Sequence, residues 1–353
     1  MSSACRPEDV TDRYAQTVAF VVAGVGLASA FLDWAPAPAL AAQVAGGVAA
    51  AAALAFAVRR HGSGPRWLDW VGTAAGGALA LAAAAAVLEL SGPLAPGPVV
   101  ALFAGIGVLA AGVAAIRGVE TDGVHARERA TFGATVASVA ALVFGSLLAA
   151  AVVPLAPDAP IVRWPLNTAI GSVGFGLAGL AVVRAFDGHL DVRVPERRDV
   201  VVAVVGVVAI FALHLLLNAV VAVFSLPQST HGLVETARDN PEILPPLVVV
   251  SLLFIGPGEE LLARNGVQQF LYGAYSRAGA VVVASFVFGA AHLLSYAGAG
   301  VPPGAVLVAL TRVFLVSLVL GIAYERTDNL FAPVVVHGVY DAVQFGLAYL
   351  QFS

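Results

Sequence analysis

Six residues near the end of a 353-residue chain carry groups that could do chemistry together: Glu259, Glu260 and Arg264, then His292, then His337 and Asp341. Glu260 and Arg264 stand at i and i+4, so on a helix they share a face and can pair, which lowers the cost of burying both. Glu259 lies about 100° further round and need not be neutralised by the same arginine. His337 and Asp341, again i and i+4, present an imidazole and a carboxylate to one side. A carboxylate beside an imidazole can hold a water and take its proton. A second imidazole with a neighbouring acid can stabilise an oxyanion or protonate a leaving amine, so peptide hydrolysis suits the set. Glu259, His292 and His337 could instead bind one divalent metal such as zinc, leaving a position open for water. The His-Glu-x-x-His helix of the zinc proteases is absent. Taken singly, a buried Glu-Arg pair or an intramembrane histidine also serves as packing glue between helices.

The surroundings of these residues are apolar. Hydrophobic residues make up 59% of the chain and charged ones 11%, against about 45–50% and about 25% in soluble proteins. Most of the exterior must therefore face lipid. Apolar stretches predict eleven spans, at 15–32, 39–58, 70–90, 98–116, 131–153, 164–186, 200–224, 244–273, 278–296, 304–323 and 330–350, each near the roughly 20 residues a bilayer requires. The fold class is an all-α polytopic transmembrane bundle. The first stretch is read as an uncleaved anchor rather than a signal peptide.

Arginine placement orients the chain, because cytoplasmic loops carry the excess of positive charge. With the N-terminus inside and the C-terminus outside, fifteen arginines, among them Arg6, Arg59, Arg193 and Arg277, fall on the cytoplasmic side, and Arg163 and Arg238 on the other. Arg312 lies within the tenth span and needs a carboxylate partner, which the sequence does not name. Residues 1–130 read as an extension of about four Ala/Gly/Val-rich helices, and 131–353 as the membrane domain holding the polar residues. His214 and Asn218, i and i+4 in the seventh span, either line the same chamber or pack, and packing is the favoured expectation; Phe288 is expected to fill core space. Gly256, Pro257 and Gly258 are expected to loosen the helix and admit water beside Glu259. Counted from the cytoplasmic ends of their spans, Glu259 and His292 lie level at about 21 Å, which predicts a chamber opening toward the cytoplasm. Cys5, the sole cysteine, has no internal disulfide partner, and a net charge of −4 without basic clusters excludes nucleic acid as a partner.

The three polar elements resemble the CPBP family of intramembrane proteases, also called the Abi or CAAX-protease family, which includes the Rce1-type CAAX prenyl endopeptidases. The family pattern of Glu-Glu-x-x-x-Arg, Phe-x-x-x-His and His-x-x-x-Asn maps onto Glu259-Glu260 and Arg264, Phe288 and His292, and His337 and Asp341. The resemblance covers about 240–345. It implies a multi-pass enzyme of the cell membrane, with lipid around it and a peptide or membrane protein, prenylated or not, as substrate. Glu259 would activate water with His292, His337 and residue 341 would support the oxyanion, and Glu260 and Arg264 would orient the site. Asp341 departs from the pattern, since an ionised carboxylate cannot donate to an oxyanion as an amide does. The resemblance is compatible with a metal-dependent or a glutamate-dependent mechanism. A catalytically silent relative and a transporter or proton pathway are the rival classes.

Overall fold

The computed structural model describes residues 12–90 and 94–353; Cys5 and Arg6 lie outside the described residues. No strand occurs among them. The chain forms α1 (Tyr14–Ser29), α2 (Ala39–Arg60), α3 (Trp67–Leu88), α4 (Pro96–Ile116), α5 (Thr121–Val152), α6 (Pro160–Ala185), α7 (Arg197–Val223), α8 (Gly232–Asp239), α9 (Pro241–Leu271), α10 (Arg277–Ala291), α11 (Leu293–Tyr296), α12 (Pro303–Thr327) and α13 (Phe331–Phe352). Each expected span falls on one of these helices. Among the described residues nine are long and apolar enough to cross a membrane, while α1 and α10 are shorter. The protein is an all-helical, multi-pass membrane protein. α5 begins ten residues before the apolar run because hydropathy locates the edge of the lipid and not the end of a helix.

The chain divides into two compact units, one of residues 1–126 and 302–307, the other of 127–301 and 308–353. In the first, the core is built largely of alanine, with Ala19, Ala23, Ala52 and Ala115 around Phe56. Small side chains let backbones approach where lipid supplies no hydrophobic drive between helices. A Cβ on Gly105 of α4 would sit 2.4 Å from the Ala80 backbone nitrogen of α3, so that crossing requires glycine. Arg59 at the end of α2 grips Asp69 at the start of α3 through two bonds of 3.0 Å.

In the second unit α9 is central, packing against α6, α10 and α13. Its 31 residues are not a uniform α-helix. Ser251–Ile255 and Leu261–Gln268 are π-helical, and the α-helical turn Gly256–Glu260 lies between them. Such wide turns concentrate at functional sites because they rotate the side chains that follow. The expected loosening at Gly256-Pro257-Gly258 is corrected here. That turn is regular and close-packed: a Cβ on Gly258 would lie 2.1 Å from the Ser172 carbonyl oxygen of α6, and the irregularity falls on either side of it.

One end of this unit is closed by polar side chains. Arg193 binds Asp199 and the Thr327 carbonyl, and Asn329 donates to Asp199 at 3.1 Å. Asn265 of α9 holds the 186–196 connection through the backbone of His189 and Asp191. Arg277 bonds Asp328, tying the start of α10 to the turn between α12 and α13.

Candidate active site

The six residues singled out by their spacing come together. Glu260 is fully buried, and its two oxygens are used separately. Oε2 accepts from Arg264 Nε at 2.9 Å, and Oε1 lies 2.8 Å from His337 Nδ1. Arg264, also fully buried, donates onward to Ser317 Oγ at 2.8 Å and reaches Gln268 Oε1 at 3.4 Å. Gln268 in turn donates to Tyr272 and to the Gly321 carbonyl. This chain of bonds fixes the His337 ring from behind, which is how a buried ion pair acquires a use beyond stability.

The other side of that ring faces the reacting groups. His337 Nε2 is 3.4 Å from Asp341 Oδ2 and 4.0 Å from Glu259 Oε2. His292, at the C-terminal end of α10, lies with Nδ1 2.9 Å from the Phe288 carbonyl oxygen. A proton on that nitrogen satisfies the carbonyl and leaves Nε2 as an acceptor. Nε2 is 4.0 Å from the same Glu259 oxygen. Phe288 fills core space as expected, and more narrowly it wedges the site: its ring lies 4.6 Å from that of His292 and 6.1 Å from that of His337, with the Arg264 guanidinium over its face.

The 4.0 Å gaps are informative. A water bonded at about 2.8 Å to Glu259 and to His292 would subtend about 90° across such a gap, close to its preferred geometry. Donors around a tetrahedral zinc, with bonds of about 2.0–2.1 Å, stand only about 3.4 Å apart. Glu259, His292 and His337 suit a metal in kind, and the two 4.0 Å separations also leave room for a bridging water. Among the described residues no group of three or more His, Cys, Asp or Glu side chains has metal-site geometry.

A cavity of about 610 Å³ reaches these residues, within the usual range for ligand sites. A second, of about 380 Å³, meets the first at Glu259, His292 and Phe288 and is lined otherwise mainly by apolar groups of α5, α6, α9 and α10. The larger cavity runs from His337 along α13 to Phe352 and to Arg238 of α8. It contains none of residues 269–280 or 324–331. The chamber expected to open past those turns is thus corrected. It extends toward the opposite ends of the helices, because the Arg277, Arg193 and Asn329 networks plug the expected side.

His214, expected to pack, lines this cavity and bonds Tyr340 OH through Nδ1 at 3.0 Å. Arg312 of α12, expected to meet a carboxylate, instead donates to the amide oxygen of Asn218 of α7. Two groups escaped sequence reasoning. His231 caps α8 by accepting from the Leu233 amide at 3.2 Å, and it lines both cavities. Tyr296 of α11 lies edge-on to it at 5.2 Å. His231 comes from a connection, where no apolar run makes a polar residue conspicuous, and Tyr296 is the last residue of an expected span, where a tyrosine is unremarkable. Burial and the nearby His292 push the His231 imidazole down to about 4, against the pull of Asp341, so it is neutral at physiological pH.

Two comparisons with known proteins, against curated chains and against solved structures, give no match. The model of the Type II CAAX prenyl endopeptidase Rce1-like family matches residues 241–343, the segment that contains all six clustered residues.

Proposed function

We propose, because residues 241–343 match the Rce1-like family model, that the protein is an intramembrane endopeptidase that hydrolyses a peptide bond of a membrane-associated substrate with water activated by Glu259. The observation that carries this reading is the convergence of two imidazole nitrogens on one Glu259 oxygen, each at 4.0 Å, in the wall of a cavity.

A water between Glu259 Oε2 and His292 Nε2 donates one hydrogen to each and turns a lone pair to the cavity. As its oxygen bonds to the substrate carbonyl carbon, Glu259 takes a proton. Charge then develops on the carbonyl oxygen, which needs a donor. His337 faces a carboxylate oxygen at each nitrogen, and the ring that satisfies Glu260 and Asp341 together carries a proton on both. Its single Nε2–H, directed to Asp341 Oδ2 at rest, turns to the oxyanion as charge develops there, and the Asp341 carboxylate steadies the cation. The carbon–nitrogen bond then breaks and the amine leaves with the proton that Glu259 took. Glu260 and Arg264 are positioning residues, acting through His337. The cell membrane is the proposed location.

The test offers purified protein lipidated or transmembrane peptide reporters beside Glu259→Ala and His292→Ala. Each variant should lose about 10²–10⁴-fold in rate, the usual worth of a positioned proton-transfer group. Cleavage that survives both substitutions would sink the mechanism. Titration of the active protein with a chelator should leave the rate unchanged; a stoichiometric loss restored by zinc would replace the water-only route.

A further inference from the structure

His231 stands where the two cavities meet, and the mechanism above leaves it idle. The polar side chains that border both cavities are Thr168, His231, Glu259 and His292. Glu259 and His292 hold the water, and the Thr168 hydroxyl donates to the Trp164 carbonyl at 3.1 Å. His231 Nδ1 accepts from the Leu233 amide at 3.2 Å and so carries no proton. The proton of the neutral ring is therefore on Nε2, which has no hydrogen-bond partner among the described residues. The ring is held from a second direction as well. Tyr296 lies edge-on to it at 5.2 Å, and Ser229 donates through Oγ to the Tyr296 carbonyl at 2.7 Å. Asp341 and His292 are close enough for their charges to act on the imidazole.

An oxyanion formed beside Asp341 needs such a group. The family pattern has an amide at position 341, which can donate, whereas the Asp341 carboxylate only accepts. His337 has one Nε2–H for two acceptors, Asp341 Oδ2 at 3.4 Å and the oxyanion. A developing oxyanion takes more than one hydrogen bond, and a donor fixed in advance is worth most because nothing has to rearrange as the charge appears. The cap on α8 fixes His231 in that sense. Its ring is neutral at physiological pH, so it gives a hydrogen bond without giving up its proton and adds no second cation beside His337. We propose that His231 Nε2–H is a second donor to the oxyanion, in the role that Asp341 cannot fill. The proposal rests on the protease reading and adds to it a residue outside the segment 241–343 that the family model matches.

His231→Asn separates the donor from the cap. The amide oxygen takes the place of Nδ1 before the Leu233 amide, and no atom of the shorter side chain reaches the position of Nε2. With a lipidated or transmembrane peptide reporter, kcat should fall by about 10²–10³-fold, the usual loss for one oxyanion donor. KM should change by less than about three-fold, since the bond forms only in the transition state. In an Asp341→Asn background, where an amide can donate, the same substitution should lose less than about ten-fold. Damage to the fold would lose as much in either background. The loss should be equal at pH 6 and pH 8, because a neutral ring donates at both. Full activity in His231→Asn, an equal loss in both backgrounds, or a loss that vanishes at pH 8 overturns the proposal. If the unaltered protein cuts no reporter, the protease reading fails and takes this proposal with it, whereas a cutting protein indifferent to His231→Asn overturns this proposal alone.

Discussion

Asp341 stands where the family pattern has an amide, and its place in the structure gives the substitution a physical sense. Its carboxylate lies 3.4 Å from His337 Nε2, so it acts on the imidazole and leaves the donation of a proton to His337. A charge-assisted bond exceeds a neutral one by about 1 kcal/mol, equivalent to about five-fold in rate. Asp341→Asn should therefore retain activity within about ten-fold, since the amide oxygen still accepts from Nε2, whereas Asp341→Ala should lose substantially more. Steady-state cleavage of one reporter by both variants measures this. Equal losses in Asn and Ala would mean that the negative charge itself is indispensable. At this scale the sequence was highly legible. Paired i, i+4 residues inside apolar runs stand out, and Glu260 with Arg264 and His337 with Asp341 interact as their spacing requires. The partner of Arg312 was not legible, because Asn218 lies 94 positions away and no local pattern links two helices that distant.

Among the elements, α8 does two things with one side chain. His231 caps the helix with Nδ1, which requires an unprotonated nitrogen, and the same ring lines both cavities. Its value falls from 6.5 to about 4 on folding. Between these limits the unfolded chain binds more protons than the folded one, so stability rises with pH across that window and is lost as pH falls from about 6.5 toward about 4. Thermal melting at pH 7 and pH 5 should show this loss, and His231→Asn, which caps without titrating, should show a smaller one. An undiminished pH dependence in that variant would assign the acid sensitivity elsewhere. The helices themselves were legible in hydropathy, and the two π-helical stretches of α9 were not. The α-helical turn between them is where Gly258 meets Ser172 of α6 and Gly256 meets Val334 of α13, and contacts of that kind depend on the neighbouring helices.

For the whole molecule, both cavities are lined entirely by the second compact unit. The side on which the larger one opens was misjudged from sequence, since counting residues along spans gives depth and says nothing of which end the loop side chains plug. If the arginine bias sets the orientation, this cavity faces outward. The close clustering of the reacting groups also has an electrical consequence. Glu259 lies within 4.0 Å of both imidazoles, so the catalytic proton travels at most about an eighth of a hydrocarbon layer roughly 30 Å thick. A full crossing is worth about 2.3 kcal/mol per 100 mV, and this fraction about 0.3 kcal/mol, less than a two-fold change in rate. Turnover in vesicles should thus be nearly indifferent to an imposed potential of either sign, whereas a relay that carried protons from face to face would respond to its full extent.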